Sequence, residues 1–177
     1  MQTIQSVLEG QTWPRTFTSL HTAIRAVGLE YTLEGGKPVT LFAPDDEAFN
    51  DLHYGAIFDL LKDITLLRKL LEYHIVPLLL TRATLMQMVS SFSPKAVSTP
   101  QSSQQGQEWG QSVELPTMSG HVLLVAFSDG FRVQGTRVLE PELTADNGVI
   151  HPVERVLWPP DLSEASFSER SSLSFRR

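Results

Sequence analysis

Hydrophobic positions recur at helical spacing through the first half of the chain. Residues 3–10 predict a short helix, and residues 17–28 predict an amphipathic helix that ends at Gly28. Residues 56–73 continue this periodicity, and another short helix is expected at 81–89. The apolar stripe of the second helix is predicted to consist of Leu20, Ala23, Ile24 and Val27.

Two predicted strands interrupt this helical half. Residues 39–43 (VTLFA) are β-rich and apolar, as in a buried strand, and another short strand is expected to begin near His74. Asp45 or Asp46 is placed to cap the helix that follows the first strand, and Asp63 is a possible cap further along.

The character of the chain changes at residue 90. Residues 91–111 are rich in Ser, Gln, Pro and Gly, which predicts a long exposed loop or a partly disordered insertion. Four β-type segments then follow, SVELPT, HVLLVAF, FRVQG and TRVLE, separated by turn signals. Residues 145–160 predict a last strand, introduced by an Asn147-Gly148 turn and stopped by Pro159-Pro160.

This order of elements predicts the α+β class, with helices first, an antiparallel or mixed β unit after them, and one segregated core. The length of 177 residues suits a single domain, which we expect to cover residues 1–160, followed by a Ser-rich flexible tail at 161–177. A hydrophobic content of 41% with 19% charged residues is typical of an ordinary soluble globular protein.

Charge and composition exclude several classes of function. A net charge of -6 disfavours nucleic acid as a partner, because phosphate binding needs a basic face. The chain has no cysteine, so disulfides, thiolate nucleophiles and cysteine-type zinc sites are excluded. We expect no transmembrane segment, because no apolar run approaches the roughly 18 residues that spanning requires, and the N-terminus does not read as a signal peptide.

The histidine of the last predicted strand is the first candidate for chemistry. Strand alternation puts Val149, His151 and Val153 on one face, where His151 should be hydrogen-bonded and partly buried. Glu154 lies three residues further on and would point to the opposite face, so the two cannot ligate one metal ion. The five histidines of the chain form no zinc-ligand set, and no metal site is predicted.

Two other groups are weighed as sites. Asp45, Asp46 and Glu47 could form an acid/base pair or a cation site, but adjacent carboxylates at a helix start are more typical of solvated caps. Tyr73 and His74 are expected to satisfy buried polar groups between the helical and β parts. No nucleophile elbow and no phosphate loop occur, so no catalytic residue is predicted.

Three segments, in this order, resemble the fasciclin domain family: TLFAPDDEAF at 40–49, YHIVP at 73–77 and NGVIHPVERVLWPP at 147–160. The resemblance implies a wedge of β-strands flanked by several α-helices. The residues of this chain that match the structural motif are Phe42, Ala43, Pro44, Asp45, Phe49, Asn147, Gly148 and His151.

The resemblance also implies where a partner would bind. Tyr73 and His74 belong to a segment linked to adhesion in animal members, and Glu142-Leu143 occupy the place of an Asp-Ile pair implicated there in integrin binding. This chain departs from the pattern at that pair, and also at Leu78, where the family usually has glycine.

The resemblance implies a non-enzymatic cell-adhesion or protein-interaction module that recognises a protein or a cell-envelope or matrix component, without a cofactor. The alternative is a small-ligand or cofactor-binding domain with a pocket near Tyr73 and His74. Family likeness predicts an extracellular or periplasmic location, whereas the lack of a signal peptide leaves a cytoplasmic one open. The sequence does not specify the partner or the oligomeric state.

Overall fold

The computed structural model of the chain describes residues 2–10, 15–52, 60–91, 112–127 and 130–162. The helices are α1 (Ile4–Glu9), α2 (Thr18–Val27), α3 (Glu30–Glu34), α4 (Asp46–Asn50), α5 (Ile64–Tyr73) and α6 (Arg82–Ser91). The strands are β1 (Val39–Pro44), β2 (Ile75–Val76), β3 (Ser112–Pro116), β4 (Val122–Ala126), β5 (Arg132–Val133), β6 (Thr136–Arg137), β7 (Leu143–Ala145) and β8 (Gly148–Val153). The predicted loop at 91–111, after Ser91, and the tail from residue 163 lie outside the described residues.

The first sheet has the order β2-β1-β8-β7 and is built from both ends of the chain. β1 and β8 run parallel at its centre, in register from Val39 opposite Gly148 to Pro44 opposite Val153. β2 and β7 pair antiparallel at the two edges. The α+β class is therefore correct, and the two strands predicted in the helical half, at 39–43 and near His74, both join this sheet. The β structure is thus not confined to a unit that follows the helices.

The second sheet is antiparallel throughout, in the order β3-β4-β5-β6. A bridge between Val138 and Val153 links it to the end of β8. All four β-type segments predicted after residue 111 contribute a strand to this sheet, in chain order.

The buried apolar side chains fall into two clusters, not into the one core that the sequence predicted. Leu41 and Ile150 join the cluster that contains the buried faces of α1, α2 and α5. Phe42 and Val153 join the cluster with the buried residues of the second sheet. The division follows from strand geometry, because successive side chains of β1 and β8 point to opposite faces and both faces are covered.

Local signals account for the helix ends. The predicted stripe of α2 is buried, and Gly28 ends the helix with a φ of 72°, a conformation that glycine adopts without strain. Asp63 begins α5 by accepting a hydrogen bond from the Leu66 amide at 3.2 Å. None of the helices in the described part of the chain is long and apolar enough to cross a membrane.

Candidate functional site

His74 lies at the end of α5, where it joins the helix to the last segment of the fold. Its Nδ1 donates to the Leu70 carbonyl at 2.7 Å, and its Nε2 accepts from the Leu157 amide at 2.9 Å. A carbonyl can only accept and an amide can only donate, so these partners specify the neutral ring with the proton on Nδ1. Burial lowers the pKa of His74 to about 4, against the smaller effect of the Leu70 hydrogen bond.

Tyr73 is fully buried beside it, with its ring edge-on to His74 at a centroid distance of 6.5 Å. Its hydroxyl donates to the Val122 carbonyl at 3.3 Å and accepts from the Gln134 side-chain amide at 2.5 Å. Burial raises the pKa of Tyr73, and the Gln134 hydrogen bond opposes that effect. Tyr73 and His74 therefore hold the second sheet and the segment after β8 against α5, and neither side chain is at the surface.

His151 is only 1% exposed, so its predicted partial burial is wrong. It lies on a central strand with both faces covered, and it stacks on Phe42 at 5.4 Å and meets the edge of Phe131 at 5.5 Å. Its Nε2 donates to the Leu80 carbonyl at 2.8 Å, and Nδ1 lies 3.7 Å from the Glu142 carboxylate. Burial lowers the pKa of His151 and, together with Arg82, outweighs the opposing influence of the Leu80 hydrogen bond and Glu142.

Glu142 immediately precedes β7, Leu143 is its first residue, and the two side chains have different environments. The Glu142 carboxylate accepts from the Arg82 amide at 2.9 Å, at the start of α6. Leu143 is half-buried and packs against the helical cluster, opposite Ile150 in the sheet. Among the described residues, no hydrogen bond or ion pair joins this pair to Tyr73 or His74. Glu142 is instead brought close to His151.

The loop at residues 77–79, which we call the 77–79 loop, is exposed yet firmly held. The buried Thr40 hydroxyl donates to the Leu78 carbonyl at 2.7 Å and accepts from the Leu80 amide at 2.8 Å, and His151 holds the Leu80 carbonyl. Leu78 and Leu79 are 46% and 52% exposed. These hydrogen bonds were not predicted from the sequence, although Thr40 stands out there as the one polar residue in an apolar strand.

Asp45 and Asp46 cap two different helices. Asp45 caps α4 through the Ala48 amide at 2.9 Å and pairs with Arg15 at 3.3 Å. It is 4% exposed, so the prediction of a solvated cap is wrong for this residue. Asp46 reaches back to α2, where its carboxylate accepts from the Ser19 amide at 2.8 Å.

Burial alone would raise the pKa of Asp46. The hydrogen bonds from Ser19, Thr16 and Thr18 outweigh burial and hold that pKa below its ordinary value. Both aspartates are therefore committed to structure, and the described residues contain no group of three or more His, Cys, Asp or Glu side chains that could hold a metal ion.

The Asn147-Gly148 pair is placed differently from the predicted turn. Ala145 pairs with Gly148, so the two-residue turn is formed by residues 146 and 147, and Gly148 is the first residue of β8. A Cβ atom on Gly148 would lie 2.1 Å from the Val39 carbonyl oxygen, so glycine is needed for the close approach of β1 and not for a turn. The Asn147 carboxamide oxygen accepts from the Ile4 amide at 2.9 Å and anchors α1.

A cavity of about 590 Å³ opens beside Tyr73 and His74. Its described walls come from the end of α4, from the turn between β5 and β6, and from residues 155–158. Gln134, which binds the Tyr73 hydroxyl, and Leu157, which binds His74, both line it. The two buried residues therefore hold two of its walls in place.

The model of the fasciclin domain matches residues 15–159 of this chain. The chain belongs to the fasciclin domain family. An uncharacterised protein of Synechocystis sp. is 31% identical over 141 residues, which cover 80% of this chain and 88% of that protein. The transforming growth factor-beta-induced protein ig-h3 of Sus scrofa is 29% identical, across 90% of this chain and 20% of its own length. A solved FAS1 domain pair from the insect cell adhesion molecule fasciclin I is 16% identical, with a TM-score of 0.48 over 78% of this chain and 45% of that one.

Proposed function

We propose that this fasciclin domain is a non-enzymatic adhesion or protein-interaction module, which recognises a protein or an envelope or matrix component in an extracellular or periplasmic setting. The observation that carries the proposal is the pair of adjacent exposed leucines, Leu78 and Leu79, on a loop fixed by Thr40 and His151. Membership of the fasciclin domain family supports the same general class of function.

The 77–79 loop has the physical properties of a recognition surface. Burying a leucine side chain contributes about 1.5–3 kcal/mol, and here two adjacent leucines remain about half exposed in the free protein. The backbone around them is already held by three hydrogen bonds, so a partner would lose little affinity to ordering this loop. Apolar side chains on a loop that is ordered before binding suit the apolar core of a protein interface.

Polar groups adjoin the loop at the start of α6. Arg82 forms an ion pair with Glu140, and its backbone amide is bound by Glu142. Met86, one turn further along α6, adds another apolar side chain that is 48% exposed. An apolar centre with a charged margin is the composition that protein interfaces show. In this proposal Glu142 contacts the partner, whereas the buried Tyr73 and His74 and the half-buried Leu143 act only through the packing of the domain.

The state of the titratable groups also favours recognition over catalysis. Both ring nitrogens of His74 are occupied by backbone groups, and the two aspartates at the start of α4 cap helices. A general acid or base needs a free position that faces substrate. These residues do not offer one.

The test compares three versions of the purified domain immobilised as bait for surface and matrix proteins of the source cells, with the retained proteins quantified by mass spectrometry. The wild type is compared with the double variant Leu78→Ser/Leu79→Ser. The matched control is Leu61→Ser/Ile64→Ser, since those side chains are also apolar and 38% and 44% exposed, but lie near the start of α5.

We expect a set of proteins retained by the wild type and by the control but lost with the Leu78/Leu79 variant, with unchanged melting temperatures. Equal retention of these proteins by all three baits would show that the 77–79 loop does not contribute to binding. No retention above bare resin, together with turnover of a small molecule, would reject the adhesion function itself.

A further inference from the structure

We propose that the 590 Å³ cavity beside Tyr73 and His74 binds an uncharged saccharide, such as one or two sugar units of a glycan. This site is separate from the 77–79 loop, because its walls are the end of α4, the β5–β6 turn and residues 155–158. Its volume lies within the range of about 300–1,000 Å³ that small-ligand sites occupy.

The charges of the wall indicate which ligands fit. Asp51 and Arg155 both line the cavity, and both are exposed. Neither makes an ion pair with another residue in the described ranges. A carboxylate or phosphate would be attracted by Arg155 and repelled by Asp51. A cation would be attracted by Asp51 and repelled by Arg155. Hydroxyl groups donate to a carboxylate and accept from a guanidinium, so a polyhydroxylated neutral ring satisfies both side chains at once.

The turn that carries Gln134 gives an independent indication. Gln134 and Gly135 connect β5 to β6 with φ angles of 48° and 74°, so both central residues of this two-residue turn are left-handed. The first position of such a turn favours Asn, Asp or Gly, and a glutamine there is strained. The strain is offset in part by the hydrogen bond from the Gln134 side-chain nitrogen to the Tyr73 hydroxyl, and Gln134 is also one of the lining residues of the cavity. A residue with a strained backbone conformation in a cavity wall is a reason to look for a ligand.

Trp158 supplies the remaining component of a sugar site. Its half-buried side chain lines the cavity, in the segment that His74 anchors through the Leu157 amide. A pyranose ring has an apolar face of C–H groups, which packs against an indole, while its hydroxyls point to the planar groups of Asp51, Gln134 and Arg155. The wall therefore provides an aromatic side chain and three planar polar groups of different kinds, among other apolar lining residues.

The test is a titration of the 15N-labelled full chain, followed by amide and indole NMR signals. The neutral probes are glucose, galactose, mannose, N-acetylglucosamine, cellobiose and lactose, and the charged probes are glucuronate and glucosamine. We expect at least one neutral probe to shift the Trp158 indole and Gln134 side-chain signals in a saturable manner, while the charged probes bind more weakly.

Two exposed variants test the polar contacts without touching the core. Asp51→Asn and Arg155→Gln should each weaken binding of the responding sugar about tenfold or more, because each removes a charged hydrogen-bonding group. Glu154→Gln is the matched control: it is exposed, adjacent to Arg155 and outside the cavity lining, and should bind like the wild type.

Gln134→Asn places a residue that favours this turn conformation at position 134, but it shortens the side chain. The variant should therefore keep its melting temperature within a few degrees of the wild type and bind the sugar more weakly. The proposal is overturned if no neutral probe shifts the Trp158 and Gln134 signals. The proposal is also overturned if glucuronate binds more tightly than the neutral probes and Asp51→Asn increases the affinity for glucuronate, since the site would then be selective for carboxylates.

Discussion

Acidification should destabilise this domain through His74, and the size of the effect can be worked out from its surroundings. Burial lowers its pKa from an ordinary value of 6.5 to about 4, so the unfolded chain takes up a proton more readily than the folded one. The stabilisation is therefore complete above pH 6.5 and is lost as the pH falls towards 4. At about 1.4 kcal/mol for each tenfold difference in proton affinity, the loss is roughly 3 kcal/mol.

The measurement is the free energy of unfolding in urea, at several pH values from about 7.5 to 4.5, for the wild type and His74→Gln. The glutamine does not titrate and can still accept from the Leu157 amide, although it loses the bond to Leu70. We expect the variant to be about 1–3 kcal/mol less stable at neutral pH. That difference should shrink as the pH falls and vanish or reverse near pH 4.5.

His151 also has a lowered pKa, but it is present in both proteins and cancels from the comparison. Parallel stability profiles of the wild type and His74→Gln would refute the reasoning. They would mean that His74 takes up its proton in the folded state as easily as in the unfolded chain, and that the pair of hydrogen bonds to Leu70 and Leu157 does not hold it neutral.

Three further substitutions test individual contacts by urea or thermal unfolding. Gly148→Ala should cost more than about 3 kcal/mol or prevent folding, because its Cβ would lie 2.1 Å from a β1 carbonyl, whereas Gly36→Ala, with open space around it, should be nearly neutral. Thr40→Val should cost about 1–3 kcal/mol and speed hydrogen exchange of the Leu80 amide, whereas Thr40→Ser should behave like the wild type. Asp46→Ala should cost about 1–2 kcal/mol through the lost cap of α2, and an unchanged stability would show that water replaces it.

Features that depend on a few neighbouring residues could be predicted from the sequence. The stripe of α2, its end at Gly28 and the cap at Asp63 all follow from spacing and from residue types at helix ends. The strand around His151 was also predictable, because β-branched residues are followed by a Pro-Pro stop. Its complete burial was not, since alternation reports one covered face and cannot reveal that partners cover the other.

The contacts that define the candidate sites join distant parts of the chain. Asp46 caps a helix that begins 28 residues earlier, and Thr40 holds a loop 38 residues later. Neither partner can be read from local pattern, because the pairing exists only once β1 has taken its place in the sheet. The wall of the cavity also joins distant parts of the chain, because Asp51, Gln134 and Arg155 come together only when the chain is folded.

The pairing of β1 with β8 has a consequence for how the protein is made. The two central strands of the first sheet are about 110 residues apart in sequence, so the sheet cannot be completed until nearly all of the described chain has left the ribosome. Until then β1, with six residues that are all buried in the finished domain, has no parallel partner. Contacts of such long range slow folding, and an unpaired apolar strand invites aggregation. Synthesis of this domain therefore includes a long interval in which one of its two fully buried central strands depends on chaperones or on temporary local contacts for protection.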